Sequence, residues 1–133
     1  MFINRLLNEG NGPVLERLLD FTAQRHRLIA ENVVNISTPG YRQKDLSLGR
    51  FQQMLRDRVA QRRDAGPGAV GFEDVRADVE DAENGMLFHD GQTRSMEQLM
   101  TDQAKNALMH NLVIELLRKQ FQAMEMALKD KPV

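Results

Sequence analysis

From Ser95 to about Leu128, apolar residues recur at alternating steps of four and three, and this stretch constrains the fold more than any other. The series is Met96, Met100, Gln103, Ala107, His110, Ile114, Leu117, Phe121, Met124 and Leu128, and eight of the ten are apolar. That spacing stacks side chains along one face of an α-helix. At 1.5 Å per residue the helix would be about 50 Å long, more than a compact domain of this size can enclose. Leu108, Leu112 and Leu116 add a second apolar face. A helix apolar on several sides wants neighbours on several sides. One partner helix in the same chain cannot cover it, so assembly with itself or with other chains is expected. Ser95 supplies the N-cap, with the acid of a capping box displaced to Glu97.

A second amphipathic helix opens at Gly12, read as the N-cap with Pro13 at the first helical position, and runs to about Asn35. Leu15, Leu19, Thr22, His26, Ile29, Val33 and Ile36 repeat the same steps. It ends in Ser-Thr-Pro-Gly-Tyr-Arg. Proline turns Thr38 away from the α conformation. Pro39 and Gly40 suit the two central positions of a type II turn, whose second position needs a positive φ. Asn35 suits a left-handed cap, and Asn32 shares a face with it one turn earlier.

Between the long helices, residues 50–63 predict a middle helix with Phe51, Leu55 and Val59 on one stripe. "DAGPGAVG" ends it. Residues 64–94 read as irregular, with a short strand at 75–79. Residues 1–9 carry Phe2, Ile3, Leu6 and Leu7 and suit a turn or two of helix. Charge is segregated here. Residues 42–63 hold seven basic side chains against two acidic, and residues 73–90 hold seven acidic against one basic. The two segments are expected to attract each other, within a chain or between chains. The fold class is therefore mainly α: two long terminal helices pair as a coiled-coil-like hairpin, with a short middle helix and an irregular loop. Three segments follow, at 1–46, 47–94 and 95–133.

Composition excludes more than it assigns. The chain has 133 residues, a net charge of −1, no Cys and no Trp. Cysteine chemistry and disulfides are out. No apolar run is long enough to span a membrane, and MFINRLL lacks the apolar core of a cleavable secretory signal. His26, His89 and His110 make no metal spacing, and His26 and His110 suit satisfied core or interface positions. "EDVRADVEDAENG" fails as a calcium loop, because alignment on Gly85 puts Ala82 at the third position and Gly91 at the twelfth, where a bidentate Glu is needed. No nucleophile, phosphate-loop or dinucleotide motif is present. No cofactor, metal or enzymatic activity is expected. The arginines of "RDRVAQRRD" lack interleaved aromatics and suit a solvated or salt-bridged face better than nucleic acid. The eight methionines suit helix packing.

"AENVVNISTPGYRQKDL" resembles the signature of the flagellar axial proteins, the rod and hook family. Ala30, Asn32, Asn35, Thr38, Pro39, Gly40 and Tyr41 carry the match. "DGQTRSMEQLMTDQAKNALMHNLVIELLRKQFQAMEMAL" is similar to the C-terminal helix of that family's short rod members. Val34, Gln92 and His110 depart from the usual residues.

The resemblance implies a structural subunit of the proximal rod of the flagellar basal body, in the periplasm, exported through the flagellar type III apparatus without a cleaved signal. It implies self-assembly and contact with other rod proteins and the rod–MS-ring junction protein, with no nucleic acid and no membrane insertion. Asn32, Asn35, Thr38, Pro39, Gly40, Tyr41 and Arg42 form the expected assembly motif. Leu15, Leu19, Ile29, Val33, Met100, Ala107, Ile114, Leu117, Phe121, Met124 and Leu128 form the expected packing interface. The terminal helices are expected to order fully only on assembly. Tyr41 and Arg42 are expected to reach an adjacent subunit, the bland alternative being a turn that only closes a hairpin within the chain. Without the resemblance, the chain would be a soluble helical adaptor or chaperone-like protein that binds a partner's amphipathic helix.

Overall fold

The computed structural model describes residues 10–66, 69–82 and 94–130. The expectations for residues 1–9, for His89 and for the stretch 83–93 lie outside these residues. Helix makes up 69% of what is described, as a mainly α chain should. The elements are α1 (Gly12–Val34), β1 (Lys44–Leu46), α2 (Leu48–Ala65), β2 (Val79–Asp81) and α3 (Met96–Lys129).

The two long helices form an antiparallel hairpin. Leu15 clusters with Val113 and Leu117, Thr22 meets His110, and His26 meets Gln103, so positions rising along α1 fall along α3. The side of α3 that meets α1 carries Leu99, Asn106, Val113 and Leu117. Leu117 belongs to the expected stripe, but Met100, Ala107, Phe121 and Leu128 are exposed, while Ile114 and Met124 are half-buried. The true face is rotated by about 50° from the expected one, half of the 100° step between successive residues. The reason is polar. Asn106 is buried because its Nδ2 donates to the Thr22 carbonyl at 2.8 Å, and a periodicity count scores Asn106 below its neighbour Ala107.

On α1 the expected residues hold better. Leu15 and Ile29 are buried, and Leu19 and Val33 half-buried. What periodicity missed is a second buried face. Phe21 and Leu28 turn away from α3 into a core shared with Leu46, Phe51, Leu55, Phe72 and Val75. The Phe21 and Phe51 rings stack with centroids 4.6 Å apart. A fully buried side chain of this kind is worth about 1.5–3 kcal/mol. This cluster is the main core, and α1 is sandwiched between it and α3.

The acidic segment lies along the basic helix within the chain. Arg42 pairs with Asp81 at 3.3 Å, Arg50 with Asp78 at 3.7 Å, and Arg58 donates to Asp74 at 2.7 Å. The hydrogen bond from Arg58 holds the Asp74 carboxyl below its ordinary value. Arg62 sits over the Phe72 ring, 5.7 Å from its centroid. Exposed pairs are individually weak, so they set the direction of residues 69–82 while Phe72 and Val75 anchor it.

Several local expectations are corrected. The N-cap of α1 is Asn11, with Gly12 first in the helix and Pro13 after it. Asn35 has φ −99° and is not a left-handed cap. The capping box of α3 is completed by Gln98, whose side chain accepts from the Ser95 N–H, rather than by Glu97. The short strand falls at Val79–Asp81, four residues late, and pairs antiparallel with Lys44–Leu46, which no alternation announced. Helix α2 runs two residues further at each end than expected.

Candidate assembly site

The Thr-Pro-Gly-Tyr turn has the geometry its residues demand. Gly40 takes φ +76°, and the Tyr41 N–H donates to the Thr38 carbonyl at 3.2 Å. These are the marks of a type II turn. Asn35 holds the turn from below: its Nδ2 donates to the Glu31 carbonyl at 2.9 Å, and its Oδ1 accepts from the Thr38 hydroxyl at 3.2 Å. Residues 37–40 are exposed.

Asn32 is the linchpin, at 0% exposure. Its Nδ2 donates to the Lys44 carbonyl at 2.7 Å. Its Oδ1 accepts from the Lys44 N–H at 3.0 Å and from the Tyr41 hydroxyl at 3.1 Å. The physical need is clear from β1. Gln43 and Ser47 bond across to Ala82 and Asp78, so in an antiparallel ladder the N–H and C=O of Lys44 point the other way. The Asn32 amide satisfies both, as a neighbouring strand would. Burial, and then the nearby Glu31 charge, push the Tyr41 phenol up, which keeps it a donor. Tyr41 and Arg42, expected against an adjacent subunit, have these partners, Asn32 and Asp81, inside the chain.

A second amide repeats the device. Gln43 is 2% exposed; its Nε2 donates to the Arg94 carbonyl at 2.9 Å, and its Oε1 accepts from the Arg94 N–H at 2.8 Å. Next to it Asp45 is gripped twice. Arg25 donates from Nε at 3.1 Å, and Arg94 from Nη1 at 2.8 Å. Asp102 lies 3.4 Å from the same Arg94 nitrogen. Burial pushes the Asp45 carboxyl up, but the hydrogen bonds from Arg25 and Arg94 outweigh it and hold it below the usual carboxylate range. Residues 43–45 thus join the end of α1 to the start of α3. Sequence reasoning missed this hub, because Asp45 lies 20 residues from Arg25 and 49 from Arg94, and spacing rules see only neighbours.

Along the hairpin the seam is polar in its middle. The Thr22 hydroxyl donates to the Leu19 carbonyl at 2.9 Å, so it accepts from His110 Nδ1 at 2.7 Å. His26 is exposed and meets Gln103 Nε2 at 2.6 Å. His110 is thus the interface histidine that was expected, while His26 sits at the rim. The rest of α3 is poorly covered. Met96, Met100, Leu108, Met109, Leu112, Leu116, Phe121, Met126 and Leu128 are each at least 40% exposed.

Among the described residues no group of three His, Cys, Asp or Glu side chains could hold a metal, and no helix is long and apolar enough to cross a membrane. No family model matches the chain, and no curated protein matches it.

Proposed function

We propose that this chain is a structural subunit of the proximal rod of the bacterial flagellar basal body, similar to the rod protein FlgB. In this proposal it packs by its terminal helices into the tubular drive shaft, at the periplasmic rod base. Its partners are further copies, the other rod proteins and the rod–MS-ring junction protein, and it passes through the flagellar export apparatus.

One observation carries the proposal. The motif Ala30, Asn32, Asn35, Thr38, Pro39, Gly40 and Tyr41 is a built turn closed on a buried Asn32, at the foot of a hairpin whose long helix leaves nine large apolar side chains exposed. Large apolar side chains left uncovered along a helix mark interaction surfaces when they gather into patches, and a subunit covered on assembly would bury them. The turn sends the chain out of the hairpin into α2 and the 69–82 segment. These pack on the face of α1 turned away from α3, in the core that Phe21 and Leu28 share with them, so in this proposal α3 and the rest of α1 line the shaft.

The test is deletion of the gene in the bacterium that encodes it, followed by electron microscopy of purified basal bodies and a swimming assay. Missing rods above an intact membrane ring are expected. Normal basal bodies and normal swimming would overturn the proposal and favour a helical adaptor.

A further inference from the structure

Helix α3 outruns its partner. Met124 and Leu128 follow Leu117 by seven and eleven residues, which puts both within about 20° of it around the helix axis. They continue the buried face that meets α1. But α1 starts at Gly12, beside Leu117 and Met124, in a cleft of about 190 Å³ that Val70 and Phe72 also line. There Met124 is half-buried, while Phe121 and Leu128 are 51% and 50% exposed. The helix runs on to Lys129.

The chain ahead of α1 is delivered to this face. Gly10 takes φ +72°, so the chain turns there, and a Cβ on Gly10 would lie 3.5 Å from Gln120 Nε2. Within the hairpin each step down α1 is a step up α3. His26 meets Gln103, Thr22 meets His110, and Gly10 lies beside Gln120. Residues 1–9 therefore set out from Gln120, where residues 121–129 of α3 remain. Nine residues of helix span about 14 Å on either side. Phe2, Ile3, Leu6 and Leu7 stand at helical spacing. On the hairpin's register Leu6 falls level with Met124, and Phe2 with Leu128.

The tether selects the occupant. A segment joined to the rim of its seat meets it at a millimolar effective concentration, which a second copy in dilute solution does not match.

We infer that residues 1–9 dock along the end of α3 as two helical turns, with Leu6 and Phe2 against Met124 and Leu128, and close the open end of the hairpin. Nine residues are too few for a helix in water by themselves, and only half-buried residues hold α3 past Leu117, so each orders the other. The entropy lost in ordering nine residues is of the same order as what four apolar side chains return. In the free chain the contact therefore opens and closes. A partner that takes this face of α3 must first displace the segment.

The experiment is disulfide trapping. The chain has no Cys, so two introduced thiols report on each other alone. Three full-length double variants are compared: Leu6→Cys with Met124→Cys, Phe2→Cys with Leu128→Cys, and Leu6→Cys with Met126→Cys. Met126 is at nearly the height of Met124 but about 160° away around the axis, and it is 64% exposed, so a tether without a seat reaches both alike. Circular dichroism of the reduced forms, matched to wild type, verifies that each folds. A disulfide needs its Cα atoms within about 7 Å, so under mild oxidation the pairs at 6 and 124 and at 2 and 128 should close within the chain about tenfold faster than the pair at 6 and 126. Each of these bonds should also raise the helix content above that of the reduced form, by trapping the docked state. Equal rates at 124 and 126 would mean a loose tether. Disulfides formed only between chains would seat the segment on a second copy. No bond at either 124 or 128 would leave the face uncovered. Each of these outcomes overturns the inference. It stands apart from the rod-subunit proposal: normal basal bodies in the deletion strain would remove that proposal and leave this one standing.

Discussion

Replacing Asn32 should damage this protein more than its small side chain suggests. Asn32 serves the Lys44 N–H, the Lys44 carbonyl and the Tyr41 hydroxyl at once. In Asn32→Ala the Tyr41 hydroxyl, on a half-buried side chain, can turn to water at little cost. The two Lys44 backbone groups face the helix and lose their partner. A polar group left unsatisfied costs about 1–3 kcal/mol; water reaching past the exposed Lys44 side chain puts each at the low end. With the lost packing, about 3 kcal/mol is expected. For a chain of this size that lowers Tm by roughly 10–15 °C. Urea unfolding should show the midpoint falling with an unchanged slope. Asn32→Asp sharpens the test. It can still accept from Lys44 N–H and Tyr41, but its other oxygen would face the Lys44 carbonyl with no hydrogen between them, and its charge would be buried. At neutral pH it should cost more than alanine, and the excess should shrink as acid protonates the carboxyl. If Asn32→Ala lies within about 0.5 kcal/mol of wild type, below the cost of even one unsatisfied group, or if the aspartate is as stable as wild type, Asn32 is not the linchpin.

Gly40→Val should cost at least about 1–2 kcal/mol, the left-handed penalty for a residue with a Cβ, which its β-branch raises; the cost is backbone strain, since nothing lies within 4 Å of an added Cβ. In the cell it should block assembly while leaving export intact, and normal motility would refute the turn's role. Gly40→Asn, which tolerates a positive φ, should be milder in the same urea titration. The folded chain holds the Asp45 carboxyl below its ordinary value, so on acidification the unfolded chain binds the proton first. Stability from Asp45 should be complete above about pH 4 and fall as pH drops through the depressed folded value. Asp45→Asn should cost about 3 kcal/mol at pH 7, the low end for breaking a buried ion pair, because Arg25 and Arg94 lose the charge they share while Asp102 still reaches Arg94, and it should flatten this acid limb in a pH series of melts. The purified monomer should show less helix by circular dichroism than the three helices require, because α3 beyond Leu117 has only half-buried residues to hold it; a fully helical, cooperatively melting monomer would remove ordering on assembly.

Local physics was legible in the sequence. The two long helices, the middle helix and the positive φ at Gly40 follow from periodicity, from proline's restriction of the residue before it and from glycine's missing Cβ. The segregated charges announced an attraction that the structure realises within the chain. What sequence periodicity could not supply was rotation and partnership. It placed the inner face of α3 about 50° away from its true position, because apolar counting favours Ala107 over Asn106, and only the Thr22 carbonyl of another helix makes Asn106 the buried one. It left Asp45 as one more surface charge, because Arg25 and Arg94 come to it through folding. It gave no sign of β1, a three-residue strand that exists by pairing with Val79–Asp81 and is tied to α1 by the Asn32 amide, both far from it in sequence. Residue type and spacing determined which elements form, since those forces act within one or two turns of chain. The hydrogen bonds that decide which face turns inward join distant residues, and only the tertiary structure brought them together.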